Sequence, residues 1–204
     1  MKRFIVTGIG TDIGKTVVSA ILVEALQATY WKPVQAGELE NSDSIKIKKW
    51  CSESVQVLPE AFRLTEPVSP HLAAQIDKLN ITIDQLAIPE INGNLIIEGA
   101  GGILVPLNNE GLLFVDLIKY WELPVILVSR HYLGSINHTL LTAEILKNNN
   151  IKVEGIVFVG NENKATEEII LKKTGLPLIA RIPLVKEINK KFIQKEANRI
   201  SSKI

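Results

Sequence analysis

Six short apolar runs, at residues 4–6, 30–31 leading into Lys32, 95–97, 125–128, 155–159 and 178–182, recur between stretches of helical periodicity. They are apolar at successive positions instead of alternate ones, so each strand needs cover on both faces. That pattern belongs to a parallel sheet flanked by helices. The expected fold is therefore α/β, a doubly wound, mostly parallel sheet with helices on both faces. At 204 residues and 46% hydrophobic content the chain can bury one sizeable core, hiding roughly 70% of the surface its unfolded form exposes. With no internal repeat or low-complexity linker, one domain over residues 1–204 is expected. Residues 59–94 carry Pro59, Pro67, Pro70 and Pro89 and read as loops around short helices. In sheets of this kind ligands gather beyond the carboxyl ends of the strands, so chemistry is sought in the residues just after each run.

Composition narrows the partners. The net charge is +1 with Lys and Arg spread along the chain, which offers no strongly basic face to nucleic acid and favours a small-molecule partner. The single cysteine, Cys51, allows no internal disulfide and has no His/Cys company with zinc-ligand spacing. The N-terminus runs straight into a strand without a signal-peptide pattern, and no apolar run approaches 18 residues, so a soluble cytoplasmic protein is expected. Residues 186–203 carry six Lys/Arg and two Glu, with Ile188, Phe192, Ile193 and Ile200 near helical spacing. A docked terminal helix is the expectation there, with a membrane-lying helix as the alternative.

The first run is followed by Gly8-Ile9-Gly10-Thr11-Asp12-Ile13-Gly14-Lys15-Thr16 and a helical pattern over residues 17–26. A strand, a glycine-rich turn and a helix start line up backbone N–H groups and a positive helix terminus around one point, which suits a phosphate. Lys15 adds a point charge for the outer phosphates, and the Thr16 hydroxyl a ligand for Mg²⁺. The pattern points to a nucleoside triphosphate. Its spacing is unusual: five residues separate Gly8 from Gly14 where the common form has four.

After the second run, Lys32-Pro33-Val34-Gln35-Ala36-Gly37 places a lysine at a strand end. It reads either as a second cation for the γ-phosphate or as a surface lysine before a turn. Asn41–Cys51 reads as a short helix, where Asp43 can serve as a cap or as a Mg²⁺ ligand. The third run ends in Glu98-Gly99-Ala100-Gly101-Gly102. A glutamate buried at a strand end is costly without a cation, which favours a metal role, and the glycines let the chain pass close to a nucleotide. Gly134-Ser135 opens a long helical pattern whose start can hold an anion such as a carboxylate. His131 and His138 lie far in sequence from any nucleophile or metal ligand and read as plain hydrogen-bonded histidines.

Together, residues 8–16, Lys32-Pro33-Val34, Ser42-Asp43, Ser69-Pro70-His71, Glu98 to Gly102 and Leu133-Gly134-Ser135-Ile136-Asn137-His138 closely resemble the dethiobiotin synthetase family, in the family's order from residue 4 to about 185. The five-residue spacing is that family's own form of the phosphate loop. The resemblance implies a P-loop, ATP- and Mg²⁺-dependent ligase that forms a cyclic urea from 7,8-diaminononanoate and CO2 through a carbamate. By position it implies Lys15 and Lys32 beside the carbamate and γ-phosphate, and Thr16, Asp43 and Glu98 around Mg²⁺. Thr11 and Gly37 fall to the substrate, and Asp12, Ile13, Gly14, Val17, Gly99, Ala100 and Gly101 to the nucleotide phosphates. Pro183, Leu184 and Val185 fall to the adenine side, where Asn161 serves if the loop after the fifth strand is shifted by two residues. It further implies a homodimer in which Leu133, Gly134 and Asn137 of one subunit hold the substrate carboxylate beside the other's phosphate loop, with no role for nucleic acid or membrane. This chain departs from the family in having Ala36 where Ser or Thr is usual, a missing hydroxyl contact of about 1 kcal/mol. It has Asp12 where Glu is common, and Val159 where an adenine-binding Asn is expected.

A switch ATPase of the partitioning or cell-division-positioning type would share the loop and would use a basic terminal helix. Those proteins carry a further lysine early in the loop, and residues 8–14 contain none. Another amide-forming or kinase-like phosphate-loop enzyme would explain the loop but not Lys32-Pro33-Val34 together with Glu98 to Gly102.

Overall fold

Phe4 and Val6 enter an apolar cluster on one side of a central sheet and Ile5 enters the cluster on the other, as a strand covered on both faces requires. The computed structural model describes residues 1–202 and 204, so Lys203, in the basic C-terminal stretch, lies outside the described residues. In chain order the elements are β1 (Arg3–Gly8), α1 (Lys15–Leu26), β2 (Thr29–Trp31), β3 (Val34–Ala36), α2 (Asp43–Trp50), β4 (Phe62–Leu64), α3 (Pro70–Ile76), β5 (Leu95–Gly102), α4 (Phe114–Trp121), β6 (Val125–Arg130), α5 (Ser135–Asn148), β7 (Val153–Val159), α6 (Lys164–Thr174), β8 (Leu178–Ile182) and α7 (Lys190–Ile200).

Six strands form the sheet in the order β2-β5-β1-β6-β7-β8, and every neighbouring pair is parallel. Helices α1, α2 and α7 cover one face; α3 to α6 cover the other. Strand β1 lies between β5 and β6, where the strand order changes direction. The crevice beyond its carboxyl end is the place such a sheet offers a ligand.

All six apolar runs are strands of this sheet. Three features differ from the sequence reading. Strand β5 continues to Gly102, so Glu98 lies inside the strand, held by the ladder to β1 as the partner of Val6. A second, two-stranded parallel pair joins β3, just after Lys32, to β4, which lies in the 59–94 segment read as loops around short helices. Helix α4, not singled out in the sequence, buries Phe114, Val115, Leu117, Ile118 and Trp121 along one side. The terminal helix α7 is docked: Ile193, Ala197 and Ile200 join the cluster that also holds Val18, Ile21 and Leu22 of α1. No helix among the described residues is long and apolar enough to cross a membrane.

Candidate functional site

The turn between β1 and α1 closes on an apolar plug. Ile13 is buried and folds back beneath the turn, so that a Cβ on Gly8 would collide with its Cδ1. Gly14 has φ of 94°, and a Cβ there would press on Val159 at 3.2 Å, so the helix start needs glycine on both counts. Arg130, from the end of β6, donates to the Asp12 carbonyl at 2.9 Å. The Lys15 ammonium donates to the Gly10 carbonyl at 2.6 Å. Burial, and then the neighbouring Lys32 ammonium, push the Lys15 pKa down from 10.5 to about 8. A bound anion would relieve that penalty.

Strand periodicity builds the adjoining cluster. Tyr30 in β2 and Lys32, just past its end, are two residues apart and both reach Glu98, while Trp31 packs into the opposite core. Tyr30 pairs in register with Ile96, two residues before Glu98, which puts Glu98 on the side of Tyr30. The Lys32 ammonium lies 2.8 Å from Asp43 Oδ2 and 3.2 Å from Glu98 Oε1, and donates to the Gly99 carbonyl at 3.1 Å. Thr16 Oγ1 lies 3.0 Å from Asp43 Oδ1 and 2.9 Å from Glu98 Oε1. The Tyr30 hydroxyl donates to the other Glu98 oxygen, Oε2, at 2.9 Å.

Helix α2 delivers Asp43. Its cap is Ser42, whose hydroxyl accepts from the Ile45 N–H at 3.4 Å, so the Asp43 carboxylate is free of capping duty and faces the cluster. The Asp43 N–H donates to Gln35 Oε1 at 3.2 Å, and Lys46 stands 3.6 Å from Asp43 Oδ1.

The charges are deeply placed. Glu98 is 1% exposed, Lys32 5% and Lys15 7%. Burial alone would raise the Asp43 pKa, but the Lys32 ammonium outweighs it and holds the carboxyl at about 2. Burial alone would lower the Lys32 pKa, and Glu98 and Asp43 more than reverse that. Tyr30 is pushed well above its ordinary range by burial and then by Glu98, which keeps its hydroxyl protonated as a donor. A hydroxyl and two carboxylates meeting around one ammonium are the hard oxygen donors that Mg²⁺ takes, with water and phosphate oxygens completing its six positions. The residues present therefore fit a divalent cation.

A cavity of about 700 Å³ opens over this cluster. It brings together Thr11, Asp12, Gly14, Lys15, Thr16, Val17, Lys32, Asp43, Glu98, Ala100 and Gly101 from the expected set. Gly101 has φ of 61°, and a Cβ there would lie 2.7 Å from Val105, so the chain passes close beneath the cavity. Ile13 lies behind the loop, and Gly37 and Gly99 contribute through carbonyls that accept from Gln35 and Lys32. The opposite wall is Pro67 to Pro70, with Ala36 beside it.

Other expected residues lie apart from this cavity in a single copy. Leu133, Gly134 and Asn137 are exposed at the start of α5, and Asn137 borders a separate groove of about 570 Å³ toward α6. Asn161, Pro183, Leu184 and Val185 are exposed beyond β7 and β8. His131 and His138 are hydrogen-bonded to Glu167 and Tyr132, at 2.9 and 2.7 Å. Tyr30, Gln35, Lys46 and Trp50 reach the cluster or cavity and were not among the expected residues. Tyr30 stands two residues before Lys32, but a tyrosine within an apolar run reads as core, so the sequence does not single it out.

Known proteins similar to this chain fall into two groups. A family model described as an AAA domain matches residues 2–191. The ATP-dependent dethiobiotin synthetase BioD of Cytophaga hutchinsonii is 51% identical over 195 residues, covering 95% of this chain and 94% of that protein. That of Christiangramia forsetii is 50% identical, covering 94% and 96%. That of Rhodopseudomonas palustris is 46% identical, covering 94% and 92%. Among solved structures, a ParA family ATPase from Chlorobium tepidum superposes with a TM-score of 0.60 at 13% identity, covering 97% of this chain and 98% of that one. The cell division ATPase MinD of Pyrococcus furiosus gives 0.57 at 16%, covering 99% of each. These two share the fold; the three curated relatives share the sequence.

Proposed function

The chain belongs to the dethiobiotin synthetase family, and from that premise we propose that its cavity couples ATP cleavage to ring closure of 7,8-diaminononanoate with CO2, releasing dethiobiotin, ADP and phosphate. One amine bonds to the carbon of CO2 and loses a proton, giving a carbamate. A carbamate oxygen bonds to the γ-phosphorus as the bond to ADP breaks. The second amine then bonds to the activated carbonyl carbon and loses a proton, and phosphate leaves with the electron pair of the broken carbon–oxygen bond. Each step gathers negative charge on oxygen. The observation that carries the reading is the pair of buried ammoniums, Lys15 and Lys32, in one cavity with Thr16, Asp43 and Glu98.

In this reading Lys15 and the first-turn N–H groups of α1, with Asp12, Gly14 and Val17, hold the ATP phosphates. Lys32 stabilises the carbamate and the transferring phosphoryl group. Thr11 and the Gly37 region border the diamine. Thr16, Asp43 and Glu98 hold Mg²⁺, which when bound neutralises charge on the phosphate oxygens. Ile13 shapes the loop from beneath, and Gly99, Ala100 and Gly101 keep the floor thin. Asn161, Pro183, Leu184 and Val185 lie along the sheet edge where the nucleoside end extends.

A second copy of the chain completes the site. Leu133 and Ile136 at the start of α5 are exposed, and Leu104 and Leu141, also exposed, line a shallow groove with His138. A homodimer covers them and brings Leu133, Gly134 and Asn137 to the partner's substrate carboxylate at the start of α5. The reaction is placed in the cytoplasm. A membrane-docking switch is not favoured, because the apolar side of α7 is already occupied by α1.

The test is to incubate the protein with diaminononanoate, bicarbonate, Mg²⁺ and ATP and to read the product by mass spectrometry. Dethiobiotin in step with ADP is expected. ATP turnover without dethiobiotin would overturn the reading.

A further inference from the structure

We propose that Tyr30 sets the metal preference of the site: by keeping one oxygen of Glu98 in its own hydrogen bond, it leaves that carboxylate a single oxygen for a cation and so favours Mg²⁺ over Ca²⁺. The proposal rests on the reading of Thr16, Asp43 and Glu98 as the cation ligands.

The two oxygens of Glu98 are divided between different partners. Oε2 accepts from the Tyr30 hydroxyl at 2.9 Å, while Oε1 faces Thr16 Oγ1 at 2.9 Å and the Lys32 ammonium at 3.2 Å. Oε1 is thus the oxygen turned to the cluster, and Oε2 is turned into the core. Tyr30 is fully buried, and its strand is fixed by its own N–H to the Gln56 carbonyl at 2.8 Å and by the Leu58 N–H to its carbonyl at 2.9 Å. Glu98 is likewise 1% exposed and lies within a strand. Rotating the carboxylate to offer both oxygens would break the Tyr30 bond and leave a buried hydroxyl without a partner, which burial penalises.

Cation size makes that division selective. Mg²⁺ demands near-octahedral geometry with six ligands, which single-oxygen carboxylates suit. Ca²⁺ takes six to eight ligands and gains from carboxylates that bind through both oxygens. Asp43 is similarly divided, with Oδ2 on Lys32 at 2.8 Å and Oδ1 toward Thr16 at 3.0 Å. The site therefore lacks the extra oxygens a larger ion would use. Tyr30 touches no reacting atom and is a positioning residue.

The experiment uses the full chain with Mn²⁺ and a non-hydrolysable ATP analogue, following bound Mn²⁺ by paramagnetic resonance and displacing it with Mg²⁺ or Ca²⁺. Tyr30→Phe removes the hydroxyl alone. The expected result is a loss of about tenfold in Mg²⁺ affinity, the scale of second-layer substitutions at metal sites, with Ca²⁺ affinity held or raised, so that the ratio narrows about tenfold. An equal fall for both ions, or no change, would overturn the role of Tyr30. If Mn²⁺ binding is absent in the unmodified protein, the ligand reading itself fails and takes this role with it. If Asp43→Asn abolishes Mn²⁺ binding while Tyr30→Phe leaves the ratio intact, only the role of Tyr30 fails. A measurement on unmodified protein covers the case in which the variant does not fold. Infrared difference spectra are expected to show single-oxygen carboxylate bands with either ion, and a two-oxygen band on Ca²⁺ binding would contradict the proposal.

Discussion

The Lys32 ammonium holds two carboxylates that would otherwise repel in a buried place, at 2.8 Å from Asp43 and 3.2 Å from Glu98. Replacing it therefore tests chemistry and electrostatics together. Lys32→Met is expected to lower product formation by at least about 10²-fold, the usual scale for losing one group that stabilises a developing oxyanion. The affinity for ATP with Mg²⁺ should stay within a few fold, because Lys15 and the loop remain. The acid limb of stability should move as well. The Asp43 carboxyl is held at about 2 against an ordinary 3.8, so its contribution is full above about pH 4 and is lost as pH falls toward 2. Without Lys32 that carboxyl titrates higher, and acid unfolding followed by circular dichroism should begin at higher pH. Unchanged turnover would remove Lys32 from the reaction. Glu98 is legible as a residue because charge at the end of an apolar run is costly and asks for a partner, whereas Lys32 reads on its own as a surface lysine before a turn and is marked by the family resemblance. Tyr30 is not legible, because a tyrosine in such a run reads as core, which it is; only its hydroxyl belongs to the site.

At the scale of elements, the strands were legible and the pieces between them less so. Runs apolar at successive positions mark β1, β2 and β5 to β8, whereas β3 (Val-Gln-Ala) and β4 (Phe-Arg-Leu) each offer one apolar-polar-apolar alternation, too short to stand out from a loop. The end of β5 was misread because glycines look like a turn, although the ladder to β1 carries the strand through Gly102. One element junction was invisible in sequence. Glu167 in the first turn of α6 is 3% exposed and accepts from His131 at 2.9 Å, from Arg181 Nε at 2.8 Å and from the Asn163 N–H at 3.3 Å. Burial pushes its carboxyl up, and the hydrogen bonds from Arg181 and His131 outweigh that and hold it below the ordinary range. This carboxylate ties the residue after β6, the turn after β7 and strand β8 together, beneath the turn that carries Asn161. Glu167→Ala should cost about 2 kcal/mol in urea unfolding, less than a fully buried pair would, because Arg181 remains partly exposed and can hydrate. A change below about 0.5 kcal/mol would show that the junction does not depend on Glu167.

At the scale of the molecule, the overall fold is shared with a ParA family ATPase and with MinD, so the architecture alone does not choose a reaction. Three local features mark this chain: the five-residue spacing of its phosphate loop, Lys32 after β2, and Glu98 within β5. The first two are written in contiguous motifs, and this is why the family was legible. The exposed positions at Leu133, Asn137, Asn161 and Leu184 were legible as motif matches only, since one copy of the chain does not bring them to the cavity. The central step is attack of a carbamate oxygen on the γ-phosphate beside Lys15 and Lys32, and oxygen tracing tests it directly. Freshly dissolved C18O2 is supplied in unlabelled water with diaminononanoate, Mg²⁺ and ATP, and the reaction is quenched before the label exchanges. One labelled oxygen in each phosphate released, matched by label in the ring carbonyl of dethiobiotin, is the predicted result; phosphate released without label would contradict it.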